Sequence, residues 1–423
     1  TETREQAVAS GKGFIDGLNG QQAPKAAVDA SIDEILAKFD ELAVNRYDSE
    51  WGGFAQQPNY APKFPRATET ILLLRRGRRT EQPNLEEMAL ETLDSMVSGG
   101  MYDQVGGGFA RYSVDRAWLV PHFEKMLYDN ALLVEVYLEG WQATRNTKYE
   151  RIARETLDYL IKEMRSPEGG FYSATDADSL APDGELVEGY FFVWTMKEFD
   201  EVTGEDAEIA KAWFGVKEEG NFDEVPGGNV LSARHTAAKV AKDLGVSALD
   251  VRLAVASAKR KLYEARAKRT PPRLDDKVLS SWNGLALTAF SRAAGILGDE
   301  RYLEVARQNA DFLLTKMRAE DGGLYRTRRL GVSTLTGFLQ DHAFVVQGLI
   351  DLFEADQNPE TKARWLKAAM DLHAQTEKEF AAEDGGYLTV AKSRANKLPI
   401  ELRTAQEGSL PSDVITAASN AYR

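Results

Sequence analysis

Several ionisable and polar side chains lie close together in the stretch HFEKMLYDN, which runs from His122 to Asn130. Histidine titrates near neutral pH, and a neighbouring carboxylate raises its pKa and fixes the ring tautomer. If the stretch is helical, His122 and Asp129 share a face, and Glu124 and Tyr128 form a pair four residues apart. The pattern predicts acid–base chemistry. The alternative is that His122 only caps the helix and Asp129 binds a nearby hydroxyl.

A second histidine beside a carboxylate occurs at Asp341 and His342. The remaining histidines, His235 and His373, are predicted to lie on the surface. The predicted catalytic residues are therefore His122, Glu124, Asp129, Asp341 and His342.

Aromatic and polar residues in the neighbouring segments are candidates for substrate binding, because aromatic rings stack on sugars and carboxylates accept hydrogen bonds from hydroxyls. They are Lys63, Tyr102, Asp103, Arg111, Tyr112, Trp118, Tyr128, Asp176, Asp178, Glu188, Asp276, Trp282 and Asn283. The pair Asp176 and Asp178 is similar to the start of a calcium loop. However, Leu180 and Ala181 follow where an oxygen ligand and a glycine belong. We therefore expect no metal, and no motif predicts a cofactor.

Composition disfavours two classes of partner. The chain has 423 residues, a net charge of −14 and no cysteine. The negative charge disfavours nucleic acid and anionic membrane as partners. The lack of cysteine fits a reducing compartment, so we expect a cytoplasmic protein with a small-molecule ligand, while the oligomeric state stays open.

The chain is built from a repeat. A Gly-Gly pair followed by an aromatic residue or leucine recurs at positions 52, 106, 169, 322 and 385. Amphipathic helices are predicted before these marks and at one further segment, over 30–46, 83–98, 147–165, 247–268, 299–318 and 360–381. More apolar helices are predicted over 66–79, 122–144, 194–214, 278–297, 338–355 and 410–423.

Six outer and six inner helices joined by Gly-Gly hairpins predict an all-α fold, an (α/α)6 toroid. The hairpins lead into the inner helices, so their N-termini are expected to line one mouth where the polar segments gather. An open α-solenoid is the alternative, but apolar inner helices favour closure because a solenoid exposes its concave face.

The segments APKFPRATE, MYDQVGGGFARYSVDRAWLVPHFEKMLYDNALL and DDKVLSSWNGLAL closely resemble the spermatogenesis-associated-protein-type family. Members of that family join a thioredoxin-like domain to a six-hairpin barrel. The barrel is similar to those of the N-acylglucosamine 2-epimerase and six-hairpin glycosidase superfamily. The resemblance implies the fold more firmly than a reaction.

Two departures from the family pattern affect the domain assignment. No thioredoxin-like domain or cysteine motif is found, so residues 1–25 are expected to be a linker or a remnant of a preceding domain. The barrel is expected over 26–423. Near its end LPSDVITAASN differs from the family's Pro-Ser-Gly-Asn-Ser pattern, which raises the expectation of a truncation there.

The leading functional hypothesis is a sugar epimerase or isomerase. Related epimerases use histidines from inner helices, and the resemblance implies His122 and His342 as the pair. Asp129 and Asp341 would tune them, and Arg111 or Lys63 would polarise the carbonyl. One alternative is a glycoside hydrolase with two carboxylates, Asp176 or Asp178 with Glu188 or Asp276. The other is a non-catalytic sugar-binding or scaffold domain.

Overall fold

A computed structural model describes residues 30–395, 402–403 and 408–423, together with scattered positions between 4 and 17. Of the predicted linker over 1–25, the structure describes only the scattered positions between 4 and 17. The chain divides into two compact units. We call Phe39–Ser166 with Phe171–Asp276 the His122 unit, and Thr1–Lys38 with Pro167–Gly170 and Lys277–Arg423 the His342 unit.

The first set of helices belongs to the His122 unit, which α1 enters at Phe39. They are α1 (Ile32–Arg46), α2 (Ala67–Arg79), α3 (Pro83–Ser98), α4 (Leu127–Thr144), α5 (Thr147–Tyr159), α6 (Met196–Thr203), α7 (Ala207–Phe214), α8 (Ala237–Leu244) and α9 (Ala248–Arg266). A π-helical turn, Leu160–Met164, extends α5.

The second set belongs to the His342 unit. It comprises α10 (Ser280–Leu297), α11 (Glu300–Lys316), α12 (Leu339–Ala355), α13 (Pro359–Phe380), the short α14 (Lys392–Ala395) and α15 (Asp413–Tyr422). No helix among the described residues is long and apolar enough to cross a membrane.

Short strands precede or connect the helices. In chain order they are β1 (Tyr112–Ser113), β2 (Pro121–His122), β3 (Lys125–Met126), β4 (Ala174–Thr175), β5 (Asp178–Leu180), β6 (Leu186–Glu188), β7 (Trp194–Thr195), β8 (Gly228–Asn229), β9 (Leu274–Asp275), β10 (Val278–Leu279), β11 (Tyr325–Arg329) and β12 (Val332–Thr336). The antiparallel pairs are β1 with β2, β3 with β4, β4 with β9, β5 with β6, β7 with β8, β10 with β11 and β11 with β12.

All five Gly-Gly marks form hairpins. Each hairpin is closed by an antiparallel bridge whose second residue follows the glycines: Tyr47 with Phe54, Tyr102 with Phe109, Arg165 with Phe171, Arg318 with Leu324, and Ala381 with Tyr387. In the second hairpin, Gly107 and Gly108 have φ of 77° and 74°. L-residues with side chains rarely adopt this conformation, which explains why glycine recurs there.

Two inner helices, α4 and α10, differ in burial from the outer helix α5 as predicted, whereas the predicted inner helix α2 buries only one face. Helix α4 is buried on nearly every side, and so is α10. Helix α5 buries one face and exposes charges on the other. Alternation of amphipathic and fully buried helices is the pattern expected of stacked helical hairpins.

Two inner helices differ from the prediction. The segment 122–144 is helical only from Leu127. The segment 194–214 begins as a strand and divides into α6 and α7, with Gly204 between them. Asn146 caps α5 by accepting from the Lys148 N–H.

Candidate functional site

The segment Pro121–Met126 is extended, so the prediction of a helix here is wrong. His122 pairs with Tyr112 across β1 and β2, and Lys125 pairs with Thr175 across β3 and β4. Pairing with two neighbouring strands outweighs the local helical pattern. The helical arguments that placed His122 with Asp129, and Glu124 with Tyr128, therefore do not hold.

The extended backbone nevertheless brings the predicted groups together. His122 Nδ1 lies 2.8 Å from Glu188 Oε1, and its Nε2 lies 3.6 Å from Glu124 Oε2. The side chain of His122 is 27% exposed, so a ligand can reach the ring. The imidazole thus lies between two carboxylates.

An aromatic stack supports the histidine ring. Tyr112 lies against His122 with ring centroids 5.1 Å apart, and Phe64 lies on Tyr112 with centroids 4.8 Å apart. The strand register places Tyr112 directly opposite His122. Stacked rings of this kind fix the orientation of the imidazole.

Glu188 reaches His122 from the β5–β6 hairpin. There Asp178 lies opposite Glu188 in the ladder, so two predicted carboxylates are cross-strand neighbours. Both are half-buried. The Phe123 N–H also donates to Glu188 Oε1 at 3.4 Å. Backbone and imidazole together hold this carboxylate in place.

Arg111 completes the cluster. Its Nη1 donates to Glu124 Oε2 at 3.0 Å, and its backbone N–H donates to the Glu124 carbonyl at 2.8 Å. Arg111 also interacts with Tyr128. Burial raises the pKa of Tyr128 to about 12, and the neighbouring Asp129 contributes. The phenol therefore keeps its proton at neutral pH.

Asp129 lies beneath this cluster with its side chain buried. Burial raises its pKa well above the usual value, although Arg111 and Tyr128 act in the opposite direction. Its Oδ2 has no hydrogen-bond partner among the described residues. Both observations favour the protonated form of Asp129 over a wider pH range than for an exposed aspartate.

The Asp129→Asn variant is expected to gain stability relative to the parent chain as pH rises. A raised folded-state pKa means that the native state holds a proton that the unfolded chain releases above about pH 3.9, so the parent loses stability with increasing pH. Asparagine has no such titration. Urea denaturation of both proteins at pH 4 and pH 8 measures this difference. An equal difference at both pH values would contradict the raised pKa of Asp129.

Several predicted ligand residues are instead buried in packing or ion pairs. Lys63 is fully buried and donates to Asp48 Oδ2 at 2.7 Å. Tyr102 is buried and binds Glu155. Trp118 is fully buried, and its indole N–H donates to the Trp51 carbonyl at 3.1 Å. Their predicted roles in stacking on or polarising a sugar have no support in these environments.

We call His122, Glu124, Glu188 and Arg111 the His122 cluster. Asp103 forms its hydrogen bonds with other residues. It accepts from Lys125 Nζ at 2.8 Å and from both terminal nitrogens of Arg266 at 2.9 Å. Arg266 lies in a basic run, 259–269, yet its side chain is buried, which is unusual for an arginine in such a run.

Asp341 and His342 lie in the His342 unit and are both buried. The Leu324 N–H donates to His342 Nε2 at 3.3 Å, and the Thr376 hydroxyl lies 3.3 Å from Nδ1. Burial lowers the pKa of His342 to about 4, which keeps it neutral. Asp341 accepts from the backbone N–H groups of Ser281 and Phe338. These contacts describe a structural pair, and its catalytic role stays a prediction.

The other predicted residues are dispersed. Asp176 is exposed, and Asp276 and Trp282 are half-buried. Asn283 is buried, where it donates to the Leu279 carbonyl and accepts from Asn309. Among the described residues, no group of three or more histidine or acidic side chains could hold a metal ion.

Three residues that line one cavity were not predicted from the sequence: Lys125, Tyr159 and Arg266. Lys125 was hidden within a stretch assigned to a helix. In an extended segment, alternation would have placed it on the face opposite His122 and Glu124. Tyr159 and Arg266 lie on outer helices and carried no separate signal.

Comparison with known proteins gives homologues along most of the chain, although no family model matches. Human spermatogenesis-associated protein 20 is 36% identical over 416 residues, which cover 89% of this chain and 51% of that protein. An uncharacterized protein from Caenorhabditis elegans is 30% identical over 421 residues, 92% of this chain and 56% of that protein.

A solved structure supports the fold. A family 76 glycoside hydrolase from a bovine Bacteroides thetaiotaomicron strain superimposes with a TM-score of 0.52 at 12% identity, covering 94% of this chain and 65% of that chain. A sugar epimerase from a ruminal bacterium gives a TM-score of 0.38 at 15% identity over 92% and 95%, which is too low to support an inference. The predicted (α/α)6 fold class is confirmed. By sequence, the chain is a homologue of spermatogenesis-associated protein 20 over most of its own length, and it spans about half the length of the relatives it matches.

Proposed function

We propose that this chain acts on a sugar by acid–base proton transfer, with His122 as the group that carries the proton. The observation that supports this most directly is the accessible imidazole between Glu188 and Glu124. A carboxylate on one ring nitrogen fixes the tautomer and leaves the other nitrogen for substrate. Metal or cofactor need not be invoked for such a step.

The proposed step is removal of the proton from the carbon next to a sugar carbonyl. The C–H electron pair forms a carbon–carbon double bond, the carbonyl π pair moves to the oxygen and gives an enediolate, and the proton goes to His122 Nε2. The side chain of Arg111 is 39% exposed, and its Nη1 lies 3.0 Å from Glu124 Oε2. We propose that this guanidinium stabilises the developing negative charge. Return of a proton from solvent to the opposite face of that carbon completes epimerisation. Glu124 Oε2 lies 3.6 Å from His122 Nε2, on the same side of the substrate, and is proposed to assist His122.

A sugar is the proposed substrate class for two reasons. The cluster combines an aromatic ring, two carboxylates and an arginine, which together suit the faces and hydroxyls of a sugar. In addition, the chain shares its fold with a protein named as a glycoside hydrolase. The fold alone does not select a reaction, so the site carries the proposal.

Solvent exchange tests the proposal. The purified chain is incubated with reducing sugars in D2O, and proton NMR follows deuterium entry beside the carbonyl. His122→Gln is expected to slow exchange by about 10²–10⁴-fold, the usual contribution of a positioned acid or base. His235→Gln is the matched control, because His235 is exposed and belongs to no part of the cluster. Equal rates for parent and His122→Gln would exclude His122.

Hydrolysis of a glycosidic bond is the second candidate. It is favoured by the two carboxylates, Glu124 and Glu188, that contact the same ring. Paired carboxylates are the usual apparatus of glycoside hydrolases. Aryl glycosides offered to the parent and to Glu124→Gln distinguish the two reactions. Release of the aryl group without deuterium exchange would support hydrolysis, and sugar binding without either reaction would support a binding domain.

A further inference from the structure

The His122 unit contains a cavity of about 420 Å³. We call it the Lys125 cavity. It is lined by Lys125 with Asp103 and Arg266, by aromatic side chains from neighbouring segments, and by Pro271 and Pro272. This volume is within the range of small-molecule sites in proteins. None of the residues proposed above for proton transfer lines it.

The Lys125 cavity and the His122 cluster use opposite faces of the same extended segment. His122 and Glu124 contact each other, whereas Phe123 and Lys125 both contact Phe192. Burial alternates in the same way from Pro121 to Lys125. Side chains of an extended chain point alternately to opposite sides. The cavity is therefore a separate location and not an extension of the first site.

Two cations and one carboxylate form its buried end. Lys125 Nζ and both terminal nitrogens of Arg266 donate to Asp103, and Lys125 also donates to the Gly107 carbonyl at 2.9 Å. The ammonium thus has two acceptors among the described residues and one N–H available for a third. Burial raises the pKa of Asp103, but Arg266 and Lys125 outweigh it and hold that pKa well below its usual range.

These three buried groups carry an excess of one positive charge. The other carboxylate that lines the cavity, Glu163, is exposed and accepts from the Tyr263 hydroxyl at 3.0 Å. Burial lowers the pKa of Lys125, and Arg266 beside it acts in the same direction, while Asp103 and, to a smaller extent, Glu163 oppose them. A buried charge without a counterion is costly. Arg269, at the same cavity, is already bound to Glu198 at 2.7 Å. An anion in the cavity would balance the excess charge.

The cavity walls are largely aromatic. Lys125 Nζ lies 4.4 Å from the centre of the Tyr159 ring, and Arg266 lies 5.2 Å from that of Phe191. Phe192 and Tyr263 also line the space. Flat apolar walls favour a ligand with a flat apolar body.

The Tyr159 hydroxyl is an independent sign of a ligand. The side chain is 6% exposed, and its hydroxyl oxygen, although near Thr175, has no hydrogen-bond partner of acceptable geometry among the described residues. Burial raises the pKa of Tyr159, so the hydroxyl keeps its proton and can donate. A buried donor without an acceptor costs free energy that an anionic ligand would recover.

We propose that the Lys125 cavity binds a small organic anion with a flat apolar body and a carboxylate or phosphate head. The head accepts from Lys125 and from the Tyr159 hydroxyl. The body lies among Tyr159, Phe191, Phe192 and Tyr263. This proposal does not depend on the reaction at His122.

Isothermal titration calorimetry with simple probes tests it. Benzoate and phenyl phosphate distinguish the two head groups, benzyl alcohol tests the need for charge, and inorganic phosphate tests the need for the apolar body. At least one aromatic anion is expected to bind at least 10-fold more tightly than benzyl alcohol and inorganic phosphate. Tyr159→Phe is expected to weaken that binding about 10-fold or more, because hydrogen bonds to charged groups are the strong ones.

Three further variants complete the test. Ala267→Trp fills the mouth of the cavity from an exposed position and is expected to abolish binding. Tyr149→Phe is the matched control for Tyr159→Phe, since the Tyr149 hydroxyl binds Asp94 and the residue does not line the cavity. His122→Gln is expected to leave binding unchanged, which separates this test from that of the sugar reaction. Three results would overturn the proposal. They are failure of both benzoate and phenyl phosphate to bind, binding of benzyl alcohol as tight as that of the aromatic anions, or binding by Ala267→Trp as tight as by the parent chain.

Discussion

The Asp103→Asn variant is expected to lose about 3–5 kcal/mol of unfolding free energy, because removing one partner of a buried ion group leaves an uncompensated buried charge. Here two cations would remain, Lys125 and Arg266, and both are buried. Domains are typically stable by only about 5–15 kcal/mol, so this is a large fraction. Urea denaturation followed by circular dichroism measures the loss.

The effect of Asp103→Asn has a defined pH dependence. The folded-state pKa of Asp103 lies well below its unfolded value. Its stabilisation is therefore fully present above the unfolded pKa of about 3.9 and is lost as pH falls towards the folded pKa. The difference between parent and variant should be constant above about pH 5 and shrink below pH 4. Asp183→Asn, at an exposed loop position, is the control and should change little. A similar loss in both variants would contradict the role given to the buried ion group.

The Gly107→Val variant is expected to damage folding strongly. The backbone of Gly107 has a φ of 77°. A branched residue is strained at this angle, at a cost of about 1–3 kcal/mol. A Cβ at this position would also lie 2.8 Å from the Glu155 carbonyl oxygen, which belongs to the backbone of α5 and cannot rotate away. Overpacking of this kind adds about 1–3 kcal/mol. The midpoint of thermal unfolding measures the sum.

Gly298→Val separates strain from collision. Gly298 has a similar φ of 65°, but a Cβ there meets no atom within 4 Å. It should therefore show the strain alone and a smaller fall in melting temperature than Gly107→Val. An unchanged melting temperature for Gly107→Val would contradict the hairpin assignment.

The repeat predicted the fold well because it rests on two local rules. Glycine at positive φ fixes where each hairpin turns, as at Gly107, and the width of the apolar stripe separates α5 from the fully buried α10. Helix starts were harder to predict. At Pro121–Met126, pairing with strands β1 and β4 decides the conformation. Strand partners cannot be identified from local periodicity.

Some of the residues predicted for the site do lie together, but the backbone geometry that brings them together was not predicted. His122, Glu124, Arg111 and Glu188 do meet, but through strands and not along a helix. Tyr102 and Trp118 were expected at a ligand, because aromatic residues in hairpins suit both sugar stacking and core packing. Only burial distinguishes these roles, and burial depends on the whole fold.

The extended segment is held at both ends, and this has a consequence for its length. His122 is paired with Tyr112, and three residues later Lys125 is paired with Thr175. Insertion or deletion of one residue between them would turn every following side chain to the other face. The imidazole would then lose Glu124 as its neighbour, or the cavity would lose its ammonium group. Natural length variation should therefore be rare at these positions and tolerated in the exposed turn at Asp183, where no such double pairing exists among the described strands.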